Sequence, residues 1–392
     1  MRVLRSIHTL NPVVGGPIES VKQSSAALAG RGHCVEIISL DGPANPWIRE
    51  SPVPVHALGT GRGGYGYAPG FAPWIREHRA QYDAVIVHGI WQYSSLGVWR
   101  ALRGTSTPYF VFPHGMLDPW FNRTYPLKHL KKMLYWPWAE YRVLRDAAAV
   151  LFTSEEERRL ARQSFSPYRC NEVVVNYGTA APDVDLPLAR RDFFNKFPQL
   201  REESFLLFLG RLHEKKGCDD LIQAFATVPN SSRMPQSPHL VIAGPSANES
   251  YLRHLKELAA TADGHAEPPI IFSGMLTGNL KWGAFSAADA FILPSHQENF
   301  GIAVVEALAC GTPVLISNKV NIWREIVNDG AGFADEDDRA GVTRLIERWM
   351  GASAAEREAM RSNARRCFER RFQIDGAIDS LLRVLAEPRK TP

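Results

Sequence analysis

The chain has 392 residues, 22% of them charged, with a formal net charge of +4. That length suits two or three domains with substantial cores, and so modest a charge excludes a dedicated nucleic-acid surface. No apolar run approaches the roughly 20 residues needed to span a bilayer. Five cysteines (Cys34, Cys170, Cys218, Cys310, Cys367) are scattered without C-x-x-C spacing. Such a set points to reduced thiols and a cytoplasmic protein, against a disulfide framework or a zinc site. Met1-Arg-Val-Leu leads straight into a first strand, with no secretory leader expected.

Short apolar runs alternate with helical patterns along the chain, which predicts an α/β protein with doubly wound sheets. The first series of expected strands is Val3–Ile7, Val35–Leu40, Ala84–His88, Tyr109–Phe112, Ala149–Phe152 and Val173–Val175. Helical patterns between them include 18–29 and 155–163. After the first strand comes Asn11-Pro-Val-Val-Gly15-Gly16-Pro17, with a proline suited to a helix's first turn. Gly15 and Gly16 let backbone approach a ligand closely, and a helix N-terminus favours phosphate. Adjacent glycines after a strand also read simply as a tight turn. The loop lacks G-x-G-x-x-G, which weakens a nicotinamide dinucleotide reading. His88 and His114 each follow a strand at the sheet edge where ligands collect; the plain alternative is a strand-end histidine bonded to backbone. Gly61–Gly70 reads as a mobile glycine-rich loop, a candidate cover for an acceptor.

A second pattern lies between Trp120 and Arg142, where Trp120, Trp136 and Trp138 interleave with Arg123, Lys128, Lys131 and Lys132. A basic, aromatic, amphipathic segment is what a peripheral enzyme lays on an anionic bilayer. An ordinary helix with its aromatics on the core is the competing reading, and Pro137 interrupts any long helix.

The proline-rich stretch 180–187 reads as a linker. The expected domains are therefore 1–179 and 188–370, followed by a helical tail, 371–392. Beyond the linker, strands are expected at Phe205–Leu209, Leu240–Ala243, Ile270–Phe272, Ala290–Leu293 and Val314–Ile316. Phe205–Leu209 runs through Gly210 into Arg211-Leu-His-Glu-Lys-Lys216-Gly217, with a helix starting near Cys218. A planar guanidinium and a mobile ammonium five residues apart suit a diphosphate. A basic solvated loop is the bland alternative. After Ala290–Leu293 comes Pro294-Ser-His-Gln-Glu298-Asn299-Phe300-Gly301-Ile-Ala-Val-Val-Glu306, expected to place Glu298 in a loop and Glu306 two turns into a helix. An ionised carboxylate is acceptor-only and takes two hydroxyl donors at once. No H-E-x-x-H spacing or D-x-D-type cluster is evident, so no metal and no cofactor is expected.

The Glu298–Glu306 segment, the Gly210–Gly217 segment and His114 together resemble the retaining nucleotide-sugar glycosyltransferases of family 4. The resemblance implies a GT-B fold: two Rossmann-like domains facing across a cleft, the first binding acceptor and the second the nucleotide sugar. It also implies that the last helix crosses back to the first domain. It gives Glu298 the donor-sugar hydroxyls, Glu306 the ribose, and Arg211 and Lys216 the diphosphate. Backbone at Asn299, Phe300 and Gly301 meets sugar and diphosphate; Gly15 and Gly16 face the diphosphate; His114 lies near the reacting sugar, and His88 lines the acceptor site.

The function implied is retaining, metal-independent transfer of a hexosyl or related sugar from a UDP- or GDP-sugar to an acceptor hydroxyl. A glycan or lipid-linked acceptor in cell-surface polysaccharide or lipopolysaccharide assembly is expected, at the inner face of the cytoplasmic membrane if 120–142 makes a peripheral contact. The alternatives are a GT-B synthase or phosphorylase using a small soluble acceptor, and a non-catalytic nucleotide-sugar-binding protein on the same fold.

Overall fold

The structure is a computed structural model, which describes residues 1–201, 203–227, 239–262 and 270–387. The chain divides into two compact units. The first is Met1–Thr179 joined by the last helix, Ile374–Ala386, and the second is Ala180–Gln373. Of the expected 371–392 tail, residues 388–392 lie outside the described residues.

The first unit is built on a seven-stranded parallel sheet. Its strands are β1 (Arg2–Ile7), β2 (Cys34–Ser39), β3 (Val55–Ala57), β4 (Ala84–His88), β5 (Tyr109–Phe112), β6 (Ala149–Phe152) and β7 (Glu172–Val174), in the order β3-β2-β1-β4-β5-β6-β7. Every residue of β4, β5 and β6 is buried, because helices cover both faces of an all-parallel sheet. Alternate residues feed two cores: Leu4, Val85, Val87, Val111 and Val150 on one face, and Val3, Ile86, Phe110 and Leu151 on the other. The last helix joins the second core through Ile378, Leu381 and Leu385. Arg31, just after the first helix (Gly16–Gly30), donates to Asp375 at 2.7 Å and to Asp379 at 2.5 Å.

The second unit holds six parallel strands: β8 (Phe205–Leu209), β9 (His239–Ala243), β10 (Ile270–Gly274), β11 (Ala290–Leu293), β12 (Val314–Ser317) and β13 (Gly332–Asp335). Their order is β10-β9-β8-β11-β12-β13. Both sheets thus reverse direction of winding at one place, between β1 and β4 in the first unit and between β8 and β11 in the second. At such a switch point adjacent loops leave the sheet in opposite directions and open a crevice at the carboxyl ends of the strands.

The expected strands are present with end shifts of one or two residues, while β3 and β13 were not expected. Both are edge strands of three or four residues, and Val-His-Ala and Gly-Phe-Ala-Asp carry too little apolar pattern to be seen. The helix after Gly301 spans Ile302–Ala309, so Glu306 sits little more than one turn in, not two. Helix geometry begins only after Gly301, whose φ of 74° is left-handed and which serves as the cap. The stretch read as linker is helical from Leu186, where Asp185 caps the helix Leu186–Lys196 by accepting from the Leu188 amide.

Candidate active site

At the second unit's switch point two loops are fastened together. The β8 loop, Gly210–Gly217, meets the β11 loop, Pro294–Gly301, through three contacts. The His296 amide donates to the Lys215 carbonyl at 2.9 Å, Lys215 Nζ donates to Gln297 Oε1 at 2.9 Å, and Lys216 is ion-paired with Glu298. Gly217 permits the approach: its φ is +65°, and a Cβ there would lie 2.5 Å from the Pro294 carbonyl oxygen. Gly244, after β9, is as constrained, since a Cβ would lie 1.8 Å from the Gly210 carbonyl oxygen. Glu298 is held on the other side by backbone; its amide donates to the Lys319 carbonyl and its own carbonyl accepts from the Asn321 amide, each at 3.0 Å.

This places Glu298 within a basic group, with Lys216, Lys215 and Arg211 all acting on it. Burial pushes its carboxyl pKa up, but those three cations together outweigh burial and hold it below the ordinary carboxylate value. The Glu298 and Lys216 side chains retain 18% and 15% of their surface exposed, enough for a ligand to reach both. An ammonium has three donors, so Lys216 can hold Glu298 and still donate to phosphate oxygens.

Glu306 forms a second pair. Its Oε1 lies 2.8 Å from Lys281 Nζ, and only 6% of its side chain is exposed. Lys281 comes from the helix Gly278–Ala287. Sequence reading missed it, because it lies outside the motif and a lone lysine in a helix carries no signal of a partner 25 positions on. Missed for the same reason were Gln297, as partner of Lys215, and His296. The His296 ring bonds Asp337 at 2.9 Å and lies 3.8 Å from Asp220, which raises its pKa against the lesser opposing effect of burial. Among the backbone candidates, the Phe300 side chain is buried and packs edge-on to Phe372, with ring centres 5.8 Å apart. The Asn299 side chain accepts from Asn321 at 3.3 Å.

In the first unit the switch-point loops follow β1 and β4. Gly15, with φ 108°, caps the helix that begins at Gly16 with Pro17 in its first turn, as the sequence suggested. His88 ends β4, and His114 follows β5 with a left-handed φ of 51°. Their rings meet: His88 Nδ1 lies 3.1 Å from His114 Nε2, and Phe112 stacks on both. Burial, then the nearby Arg5 guanidinium, lowers His114 to about 4 and holds His88 well below its usual value. Two neutral imidazoles therefore share one proton, and this corner carries no titrating charge near neutrality. The turn at His114 is pinned by buried Glu157, which accepts from the Gly115 amide at 2.6 Å and the Thr153 amide at 2.7 Å. A glutamate inside a charged helical run gave no sign of that role. Among the described residues no group of three or more His, Cys, Asp or Glu side chains could hold a metal ion.

Two family descriptions match this chain: glycosyl transferases group 1 over residues 189–367, and a glycosyl transferase 4-like domain over residues 15–178. The two matches take in most of the chain, which belongs to the group 1 glycosyltransferases. It is 28% identical over 368 residues to the alpha-monoglucosyldiacylglycerol synthase of Streptococcus pneumoniae, covering 87% of this chain and 77% of that one. To the GDP-mannose-dependent alpha-(1-6)-phosphatidylinositol dimannoside mannosyltransferase of Mycobacterium tuberculosis it is 26% identical, covering 95% and 92%. Matches to the D-inositol 3-phosphate glycosyltransferases of Paenarthrobacter aurescens and Xylanimonas cellulosilytica span 43% and 58% of those proteins' length.

Among solved structures, HepE of Anabaena in complex with UDP and glucose superposes with a TM-score of 0.77 at 17% identity, over 98% of this chain and 99% of that one. Sucrose-phosphate synthase of Thermosynechococcus elongatus gives 0.75 at 18% identity, over 98% of each. The fold is that of GT-B enzymes, with two Rossmann-like units.

Proposed function

We propose that the protein transfers a sugar from a nucleotide sugar to an acceptor hydroxyl with retention at the anomeric carbon, without a metal. The observation that carries this reading is the Lys216–Glu298 pair, which joins the basic β8 loop to the carboxylate loop at a switch point. A donor diphosphate takes Lys216 and Arg211 as its cations, while Glu298 accepts from hydroxyls of the sugar. Glu306, oriented by Lys281, accepts from the ribose. Gly15 and Gly16, at a helix start that favours phosphate, and His114, an uncharged imidazole, are the first unit's candidates.

In the reaction the bond between the anomeric carbon and the phosphate oxygen breaks, and the acceptor oxygen bonds that carbon on the same face. The acceptor proton passes to the departing phosphate oxygen, so no dedicated nucleophile or general base is required. Catalysis then rests on stabilising charge on the diphosphate and on the oxocarbenium-like sugar. Lys216 and Arg211 do for the leaving group what a divalent cation would do elsewhere.

The name of one relative, GDP-mannose-dependent, supports a GDP-sugar among the proposed UDP- or GDP-sugar donors, and another relative is a diacylglycerol glycolipid synthase. These names also support an acceptor in glycolipid or cell-surface glycan assembly. A panel of donors screened for release of nucleoside diphosphate, followed by NMR of the product's anomeric centre, tests this. Retention is expected; an inverted product sinks the mechanism, and no release with any donor sinks the reading.

A further inference from the structure

The helix Pro126–Tyr135 is turned inside out relative to an ordinary surface helix, which buries its apolar stripe and shows its charges to water. Its inward side is polar and aromatic. Lys132 Nζ sits 4.5 Å over the Trp91 ring, the His129 ring lies 5.1 Å from Phe165, and the Tyr135 hydroxyl is hydrogen-bonded to Tyr65. Its outward side is Leu127, Leu130, Met133 and Leu134, exposed by 80%, 57%, 52% and 70%, with Trp138 just beyond at 69%. Those five are nearly half of the twelve exposed large hydrophobics among the described residues. Leu127, Leu130 and Leu134 stand at i, i+3 and i+7, on one stripe. A clustered apolar face of this kind marks an interaction surface.

We infer that this helix docks the protein on an anionic lipid surface, lying in the plane of the interface with its leucines among the acyl chains. Charge decides between occupants. From Pro119 to Ala139 the chain has no carboxylate, but exposes Arg123, Lys128 and Lys131. A second copy of this chain would bring the same cations against themselves, which a self-complementary interface avoids. An acidic headgroup layer over an apolar interior matches both the basic rim and the apolar centre. Among the described residues no helix is long and apolar enough to cross a membrane, and docking needs none. The inference stands apart from the donor site; joined to the proposed transfer, it makes the acceptor membrane-borne.

Flotation of the full chain with vesicles tests it. The protein should float with vesicles of phosphatidylglycerol mixed with phosphatidylcholine and stay behind with phosphatidylcholine alone. Leu130→Glu/Leu134→Glu should lower the bound fraction about tenfold or more, and Lys128→Gln/Lys131→Gln should lower it by about tenfold and flatten its salt dependence. Unchanged melting temperature shows that the variants fold. Hydrolysis of a sugar nucleotide, read on the same proteins without lipid, should be unaffected; its absence in the parent protein would count against the proposed function and leave docking untouched. The inference is overturned if the parent protein fails to float with anionic vesicles, or if either variant floats like it. It is equally overturned if size-exclusion chromatography without lipid shows a dimer that the leucine variant dissociates.

Discussion

The two switch points of this molecule share a topology and differ in charge. In the second unit the loops after β8 and β11 gather Arg211, Lys215, Lys216 and Glu298, and a neighbouring helix adds the Lys281–Glu306 pair. In the first unit the strand ends bring together two neutral histidines and Phe112, with the cation Arg5 buried beneath them. A basic corner suits phosphate charge, whereas uncharged imidazole and phenyl rings near a buried guanidinium suit hydroxyls. One doubly wound scaffold, used twice, has been given two chemistries by its loops alone.

The largest effect should come from breaking the basic corner at its ion pair. Lys216→Ala removes charge stabilisation from the departing diphosphate, and loss of one such group commonly costs about a hundredfold or more in kcat. Glu298→Gln should likewise act on kcat, because its partner is the sugar that distorts. Since the two side chains are joined in the structure, the double variant should fall little below the worse single one, as coupled groups are non-additive. Steady-state kinetics of the three proteins checks this. Full additivity would mean that the pair works as two unrelated groups.

A smaller effect is expected at the second pair, and it should fall on binding. Glu306→Gln weakens charge-assisted hydrogen bonds worth about 1.5–3 kcal/mol each, so the donor KM should rise about tenfold or more with much of kcat retained. Lys281→Met removes the cation paired with the Glu306 carboxylate, and should raise KM in the same direction by about threefold to tenfold. If Lys281→Met left KM unchanged while Glu306→Gln raised it, the salt bridge would be packing and not part of the donor site. If both lowered kcat instead, the division between a ribose pair and a sugar pair would fail.

Much of the basic corner was legible in sequence because its residues are packed into two short segments, Gly210–Gly217 and Glu298–Glu306, each running from a buried strand into a helix. The strands themselves were legible wherever burial on both faces makes an apolar run, as in Ala290–Leu293. What escaped was whatever depends on a partner far along the chain. Lys281 is defined by Glu306, His296 by Asp337 and Asp220, and Glu157 by the amides of Gly115 and Thr153. None of these pairings has a local pattern, since side chains meeting through tertiary packing need no fixed spacing. The outward leucines of Pro126–Tyr135 show the same limit: periodicity marked an amphipathic segment, but only the packed structure shows which face it leaves in water.

The smallest effect is also the one that compares the corners most directly, through two histidines shifted in opposite directions. His114 is lowered to about 4 by burial and then Arg5, with His88 sharing its Nε2. Between about 4 and the ordinary 6.5 the unfolded chain therefore binds a proton that the folded one does not. Stability should rise as pH rises through that window, with a slope approaching about 1.4 kcal/mol per pH unit. His296 is raised by its hydrogen bond to Asp337, with Asp220 and Asp219 adding to it. Its contribution is fully present below 6.5, the ordinary value, and is lost as pH rises through the higher folded-state value. Thermal unfolding across pH, taken as the difference between variant and parent, isolates each. His114→Gln should flatten the acid-side rise, and His296→Gln should remove the decline that begins above 6.5 while leaving the acid side unchanged. Were both differences to have the same sign, the contrast between a neutral corner and a charged one would not describe these two histidines.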